Sequence, residues 1–274
     1  MEILPATVTF SPVGRCIYCG TKDGQMTDEH VIPFGLGGNV VLPKSSCKAC
    51  AKETARMEQT IQRMLLGPFR VRLGLPTRRP KERPQHLEIQ ILKDGKAIKK
   101  NVSPADFPLI YHTAQLPSPR ILSGLPPTNK LDYEMVGIFN DDAATKKFMD
   151  KPGDAISVGV FEPFVFYRFL AKIAHSFAIG RLGMAHFKSF FLPDIVLWKA
   201  DIPTNTLFQL IGGGPDLPDP APTDPTVRWL HSLRTRGEHP PTFRYVVATI
   251  QLFSFLNAPT YDVVVGEFVA STDN

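Results

Sequence analysis

Cys16-Ile17-Tyr18-Cys19, Asp28-Glu29-His30-Val31-Ile32-Pro33, Gly37-Gly38 and Cys47-Lys48-Ala49-Cys50 follow one another near the start of a 274-residue chain and contain all four of its cysteines. A gap of two residues lets a tight turn present both sulfurs to one ion, and two such turns complete a tetrahedral all-cysteine site. Two disulfides are the other use of four cysteines. The chain shows no basic-then-apolar leader at its start, so a reducing compartment is expected and Zn²⁺ is favoured over disulfides.

The residues between the cysteine pairs read as a hairpin and a helix. Met26 to Pro33 alternates like a strand, Gly35 to Gly38 supplies the turn, and Val40 to Leu42 returns. From Ala51 to Leu66, Ala55, Met57, Ile61, Met64 and Leu65 make a mainly apolar side, and Lys52, Glu53, Arg56, Gln59 and Arg63 a polar one. Gly67-Pro68 is expected to stop this helix. Upstream, Val8, Phe10 and Val13 suggest a short strand or extended lead-in.

This order of knuckle, Asp-Glu-His-x-x-Pro strand, Gly-Gly turn, knuckle and helix resembles the HNH endonucleases, also called the ββα-metal or His-Me finger family, in their zinc-stapled form. The resemblance covers roughly the first quarter of the chain. It implies that Cys16, Cys19, Cys47 and Cys50 hold a structural zinc, that His30 is the general base, and that Glu29 binds a catalytic divalent ion such as Mg²⁺. The position after the last cysteine, commonly His or Asn in the family, is Ala51, which has no donor atom. A replacement from the same helix would be Thr54, Glu53 or Glu58, and Glu58 is assigned as the second ligand. It lies two turns beyond Ala51, roughly 10 Å along the axis. Adjacent residues of a regular strand face opposite sides, so Glu29 and His30 share a site only where the strand is irregular, and Asp28 is the other inward carboxylate to consider. Asn39 stands beside the glycine turn.

The net charge of +5 is unevenly spread. Residues 52–100 carry thirteen Lys/Arg against five Asp/Glu, and the remainder of the chain is net negative. A basic block next to the cysteine module suits a phosphate backbone, and Arg56, Arg63, Arg70, Arg72, Arg78, Arg79 and Lys81 are the expected nucleic-acid contacts. The implied activity is metal-dependent hydrolysis of DNA phosphodiesters, in restriction or phage defence. The alternative is a degenerate zinc-binding module for nucleic acid or protein.

Beyond the module, the alternation and prolines of residues 69–84 predict a basic strand or arm. Leu87 to Leu92 and Ala97 to Val102 predict a hairpin around Asp94-Gly95. Residues 103–130 hold too many prolines for long elements, and Asp132 to Asn140 reads as a strand. Glu162 to Gly180 reads as a core helix, residues 212–225 as a loop, and residues 242–256 and 261–269 as a last strand pair. His175 is expected to be a packed core residue; His231 and His239, near Arg228, Arg234 and Arg236, read as an ordinary surface, with a second phosphate-contacting patch as the alternative. The predicted class is α+β, with an HNH-like module over residues 1–75 and a mixed α+β domain over 76–274 for substrate or partner recognition. No stretch is long enough to span a bilayer; a cytoplasmic protein with DNA as partner is expected, and its oligomeric state is left open.

Overall fold

The computed structural model describes residues 6–93, 95–139, 143–148, 155–157, 159–216, 230–238 and 244–269. The expectations for Asp94, Asn140, residues 217–225, Arg228, His239 and the first residues of the 242–256 strand lie outside these.

The cysteine-rich module is a three-stranded sheet and a helix. β1 (Val8–Thr9) runs parallel to β3 (Val40–Cys47), and β3 pairs antiparallel with β2 (Met26–His30). A short 3₁₀ turn at Phe34–Leu36 joins β2 to β3. At Gly38 a Cβ would come within 1.9 Å of the Ile32 carbonyl oxygen, so the second glycine is required by close backbone approach. α1 (Lys48–Thr60) follows directly, with the Cys47 sulfur accepting from the Cys50 N–H at its start. It continues into a π-helical turn at Ile61–Leu65.

The expected strand at residues 69–84 is a helix at its start: α2 (Gly67–Arg72). Gly67-Pro68 ends one helix but opens the next, because proline fits a first turn that needs no N–H donor. The alternating arginines are explained by their acceptors. Arg70 bonds the carbonyls of Gly35 and Pro76, and Arg72 that of Phe107.

β4 (Leu87–Lys93) pairs with β5 (Lys96–Val102) and with β8 (Ala155–Ser157), over a small cluster of Leu87, Ile89, Ile91, Phe107 and Phe148 from the following loop and α3 (Ala143–Phe148). The Pro-rich stretch holds a short strand, β6 (Ile110–Gln115), paired with β7 (Glu134–Phe139). α4 (Pro163–Leu182) is the central helix. After it come β9 (Phe187–Ser189), α5 (Leu192–Leu197), α6 (Thr204–Leu210), β10 (Ile211–Gly213), β11 (His231–Glu238), β12 (Tyr245–Leu252) and β13 (Thr260–Phe268). Strands β10, β13, β12 and β11 form one antiparallel sheet in that order, with β9 also on β13.

The architecture is mixed α and β, with the cysteine-bearing module leading a larger mixed region. α4 packs on β12 and β13 and also on α1. Val31, Leu36, Met57, Ile61 and Leu65 therefore share one core with Phe166, Leu170, Ile173, Val246 and Val264. At Gly180 an added Cβ would meet the Phe10 ring at 2.2 Å, so a side chain there would push the N-terminal segment off α4. No helix among the described residues is long and apolar enough to cross a membrane.

Candidate functional site

Two structures lie side by side: a four-sulfur cluster, and a cleft lined by the Asp28-Glu29-His30 strand and by α1. In the cluster, the sulfurs of Cys16, Cys19, Cys47 and Cys50 all lie within 4.8 Å of one another, and Cys19 and Cys47 are 3.7 Å apart. A tetrahedral ion with Zn–S bonds of about 2.3 Å needs sulfurs about 3.8 Å apart, so the cluster could hold a metal such as zinc. Burial opposes ionisation of Cys47, but hydrogen bonds from Cys50 and the neighbouring thiols outweigh it and bring this thiol down to about 7, whereas burial and the neighbouring thiols push Cys19 and Cys50 up. Thiolate is the form that binds a metal.

The first knuckle is held from α4. His175 is buried, and its Nε2–H donates to the Ile17 carbonyl at 2.8 Å. Burial keeps its pKa low, at about 4, so the ring is a neutral core residue.

In the cleft, the expected irregularity of the strand is present. Thr27 pairs with Ser46 but Glu29 with Leu42, a shift that falls at Asp28. The matching kink in β3 lies at Lys44, whose φ is +48° and whose N–H donates to the Asp28 carboxylate at 3.0 Å. Asp28 therefore faces outward and fastens the bulge. Glu29 turns into the core, only 5 % exposed, and His30 is half-buried with its ring edge on Phe34.

Of the helix candidates, Glu53 points away, paired at 2.6 Å with Arg56, and Thr54 is buried, bonding the Ala51 carbonyl. Glu58 reaches the strand. Between Glu29 and Glu58 stands a residue that the motif reading passed over: Lys172 of α4, fully buried, with its Nζ 2.7 Å from Glu29 Oε1 and 2.9 Å from Glu58 Oε1. The same ammonium donates to the His30 carbonyl and, at 3.1 Å, to that of Val31. Burial works against this ammonium, but the two carboxylates outweigh it and its pKa is raised. Burial raises the Glu29 carboxyl, Lys172 pulls it down, Glu58 pushes it up, and the net direction is upward.

The signal for Lys172 was in the sequence. A lysine among Phe169, Leu170, Ala171, Ile173 and Ala174 on a helix apolar nearly all round must find a buried carboxylate.

His30 and Glu58 open onto a cleft of about 1080 Å³, whose lining includes Ala51, Gln62, Arg63, Arg70, Arg78, Arg79 and Arg83. Burial first, then Lys172 and Arg78, lower the His30 pKa against the pull of Glu58 and Asp28, so the imidazole is neutral at neutral pH. Arg79 is paired with Glu82 and Arg83 with the Leu75 carbonyl, whereas Arg63 and Arg78 form no ion pair among the described residues. Of the expected nucleic-acid contacts, Arg63, Arg70, Arg78 and Arg79 line the cleft, and Arg56, Arg72 and Lys81 do not.

Residues 16–66 match the family model described as HNH endonuclease. The match spans both knuckles, the hairpin and the helix through its π turn, so the HNH module carries the sulfur cluster, Glu29, His30 and Glu58 on one unit. No curated protein and no solved structure is detectably similar to the chain.

The remaining motif residues have structural partners. Asn39 donates from Nδ2 to the Ala6 carbonyl at 2.8 Å, which fastens the N-terminal strand. His231, expected at the surface, donates from Nε2 to the Leu36 carbonyl at 2.9 Å and supports the turn between the hairpin strands. Arg236 is committed to Asp262 at 2.9 Å.

Proposed function

We propose that the HNH module hydrolyses phosphodiester bonds in DNA, with His30 as the general base. The observation that carries this reading is a neutral histidine opening onto an arginine-lined cleft within the stretch that matches the HNH endonucleases. Hydrolysis requires a base for the attacking water and positive charge around the pentavalent phosphate. His30 is suited to the first task. Arg63 and Arg78 are suited to the second, with Arg70 and Arg79 on the same wall binding flanking phosphates. The sulfur cluster, occupied by zinc, keeps the hairpin and α1 in register so that base and arginines face one volume.

The divalent ion expected at Glu29 and Glu58 does not fit that pair, because both carboxylates already coordinate the Lys172 ammonium. A DNA substrate in a restriction or phage-defence setting accords with the charge and the family. The test is plasmid nicking by the zinc-loaded full chain and by His30→Ala, each with Mg²⁺, Mn²⁺ or EDTA. Nicking abolished by the substitution, with zinc content and melting temperature intact, supports the reading. DNA binding without nicking by the wild type under every condition favours the zinc-stapled binding module instead.

A further inference from the structure

We propose that Lys172 is the resident cation of the Glu29–Glu58 carboxylate pair, seated where a divalent ion would otherwise bind and excluding one from the folded protein. The claim concerns ion binding and stands whether or not DNA is cleaved.

The geometry of the seat is that of a cation site. Nζ has an oxygen of each carboxylate at 2.7 and 2.9 Å, and it also donates to the carbonyls of His30 and Val31. Four oxygens from two separate segments, residues 29–31 and Glu58 of α1, converge on one positive centre, and an ammonium has only three N–H groups to share among them. Convergence of oxygens on a point is what a hard divalent cation selects, at carboxylate distances of about 2.0 to 2.6 Å. An ion placed there would overlap the ammonium that is already present, and two cations cannot share one pair of carboxylates.

The ammonium cannot leave readily. Lys172 is 0 % exposed, and its neighbours Ala171 and Ile173 are equally buried. One turn further along α4, His175 is bonded to the first knuckle, so the helix is tied to the HNH module next to the seat. Moving Lys172 aside would leave Glu29 without a counter-charge inside the core. Around the seat, Ala51 has no donor, Glu53 is held by Arg56, and Asp28, on the cleft lining, accepts from the Lys44 N–H.

Two consequences separate this from an ordinary buried ion pair. In the wild type, whatever Mn²⁺ the protein binds should be indifferent to Glu58. Removing the ammonium should uncover a divalent-cation site made by Glu29 and Glu58.

The experiment uses the zinc-loaded full chain, free Mn²⁺ followed by electron paramagnetic resonance, and melting temperature followed in parallel with and without Mn²⁺. Wild type and Glu58→Gln are expected to give superimposable Mn²⁺ titrations and the same response of melting temperature to Mn²⁺. Lys172→Ala is expected to gain one Mn²⁺ per chain and to be raised in melting temperature by it, because an ion that binds only the folded state stabilises that state. Lys172→Ala/Glu58→Gln is expected to lose both effects. A tenfold or greater weakening of Mn²⁺ binding in Glu58→Gln with Lys172 in place would overturn the proposal, since the pair would then be binding an ion beside the ammonium. A folded Lys172→Ala that gains no Mn²⁺ would overturn it equally. Lys172→Met, which keeps the stem, replaces the alanine variant if that does not fold, and the comparison of wild type with Glu58→Gln decides the exclusion claim without either.

Discussion

His175 on α4 donates from Nε2 to the carbonyl of Ile17, inside the first cysteine knuckle, at 2.8 Å. A residue far along the chain thus fixes the turn that presents Cys16 and Cys19. Because burial depresses this histidine to about 4, against about 6.5 for a free one, the unfolded chain binds the proton more readily between those values. Stability is then fully present above pH 6.5 and falls as pH drops toward 4, by roughly 3 kcal/mol for this group. Urea midpoints measured across that range should fall for the wild type. His175→Gln, which has no titrating ring, should show a shallower fall.

Lys172→Met should destabilise the protein by about 3 to 5 kcal/mol, the usual cost of leaving a buried charge without its partner. Glu58→Gln should cost less, since its side chain is 18 % exposed and water can replace part of the contact. Chemical denaturation at neutral pH measures both, and equal losses would mean that the ammonium serves Glu58 as much as Glu29.

The His30 ring sits below its ordinary pKa because it is partly buried and near Lys172 and Arg78. A general base works in its neutral form, so the cleavage rate should rise with pH along a limb centred below 6.5 and be flat through neutrality. Arg78→Ala removes one of the charges that lower the pKa, and should move that limb upward. A limb that stays in place would separate Arg78 from the base.

Arg63 and Arg78 line the cleft without ion pairs among the described residues, whereas Arg56 is held by Glu53 outside it. Substituting Arg63 or Arg78 by alanine should lower the slope of log affinity for DNA against log salt by about 0.9 each. Arg56→Ala should leave the slope unchanged. Fluorescence anisotropy at several salt concentrations distinguishes the two classes.

Cys47→Ser should abolish zinc binding by the cluster and lower the melting temperature, because Cys47 is both a member of the sulfur cluster and the acceptor at the start of α1. Metal analysis and a thermal melt, run with and without a chelator, check this directly.

The cysteine module was legible in the sequence because its signals are local. Two-residue spacing, a glycine turn and a 3.6-residue apolar pattern each act over a few positions, and the hairpin and α1 follow from them. Glu162 to Gly180 was legible for the same reason. Local patterns misled at Phe69 to Arg72, where alternating arginines resembled a strand but serve carbonyl groups of Gly35, Pro76 and Phe107 from a helix. Pro-rich composition likewise concealed β6. What the motif could not convey is the content of the site itself. Lys172 lies 142 residues from His30, whose carbonyl it binds, and spacing rules say nothing about such a partner. Only the physical demand of a charge in an apolar helix pointed to it.

The measurement that tests the account most directly is cleavage of plasmid DNA by His30→Gly with and without added imidazole, beside the wild type. Loss of cleavage in the variant and its recovery with imidazole is the expected result, because a free base can enter the space left in the cleft. Undiminished cleavage by His30→Gly without imidazole would contradict the assignment of His30 as the base.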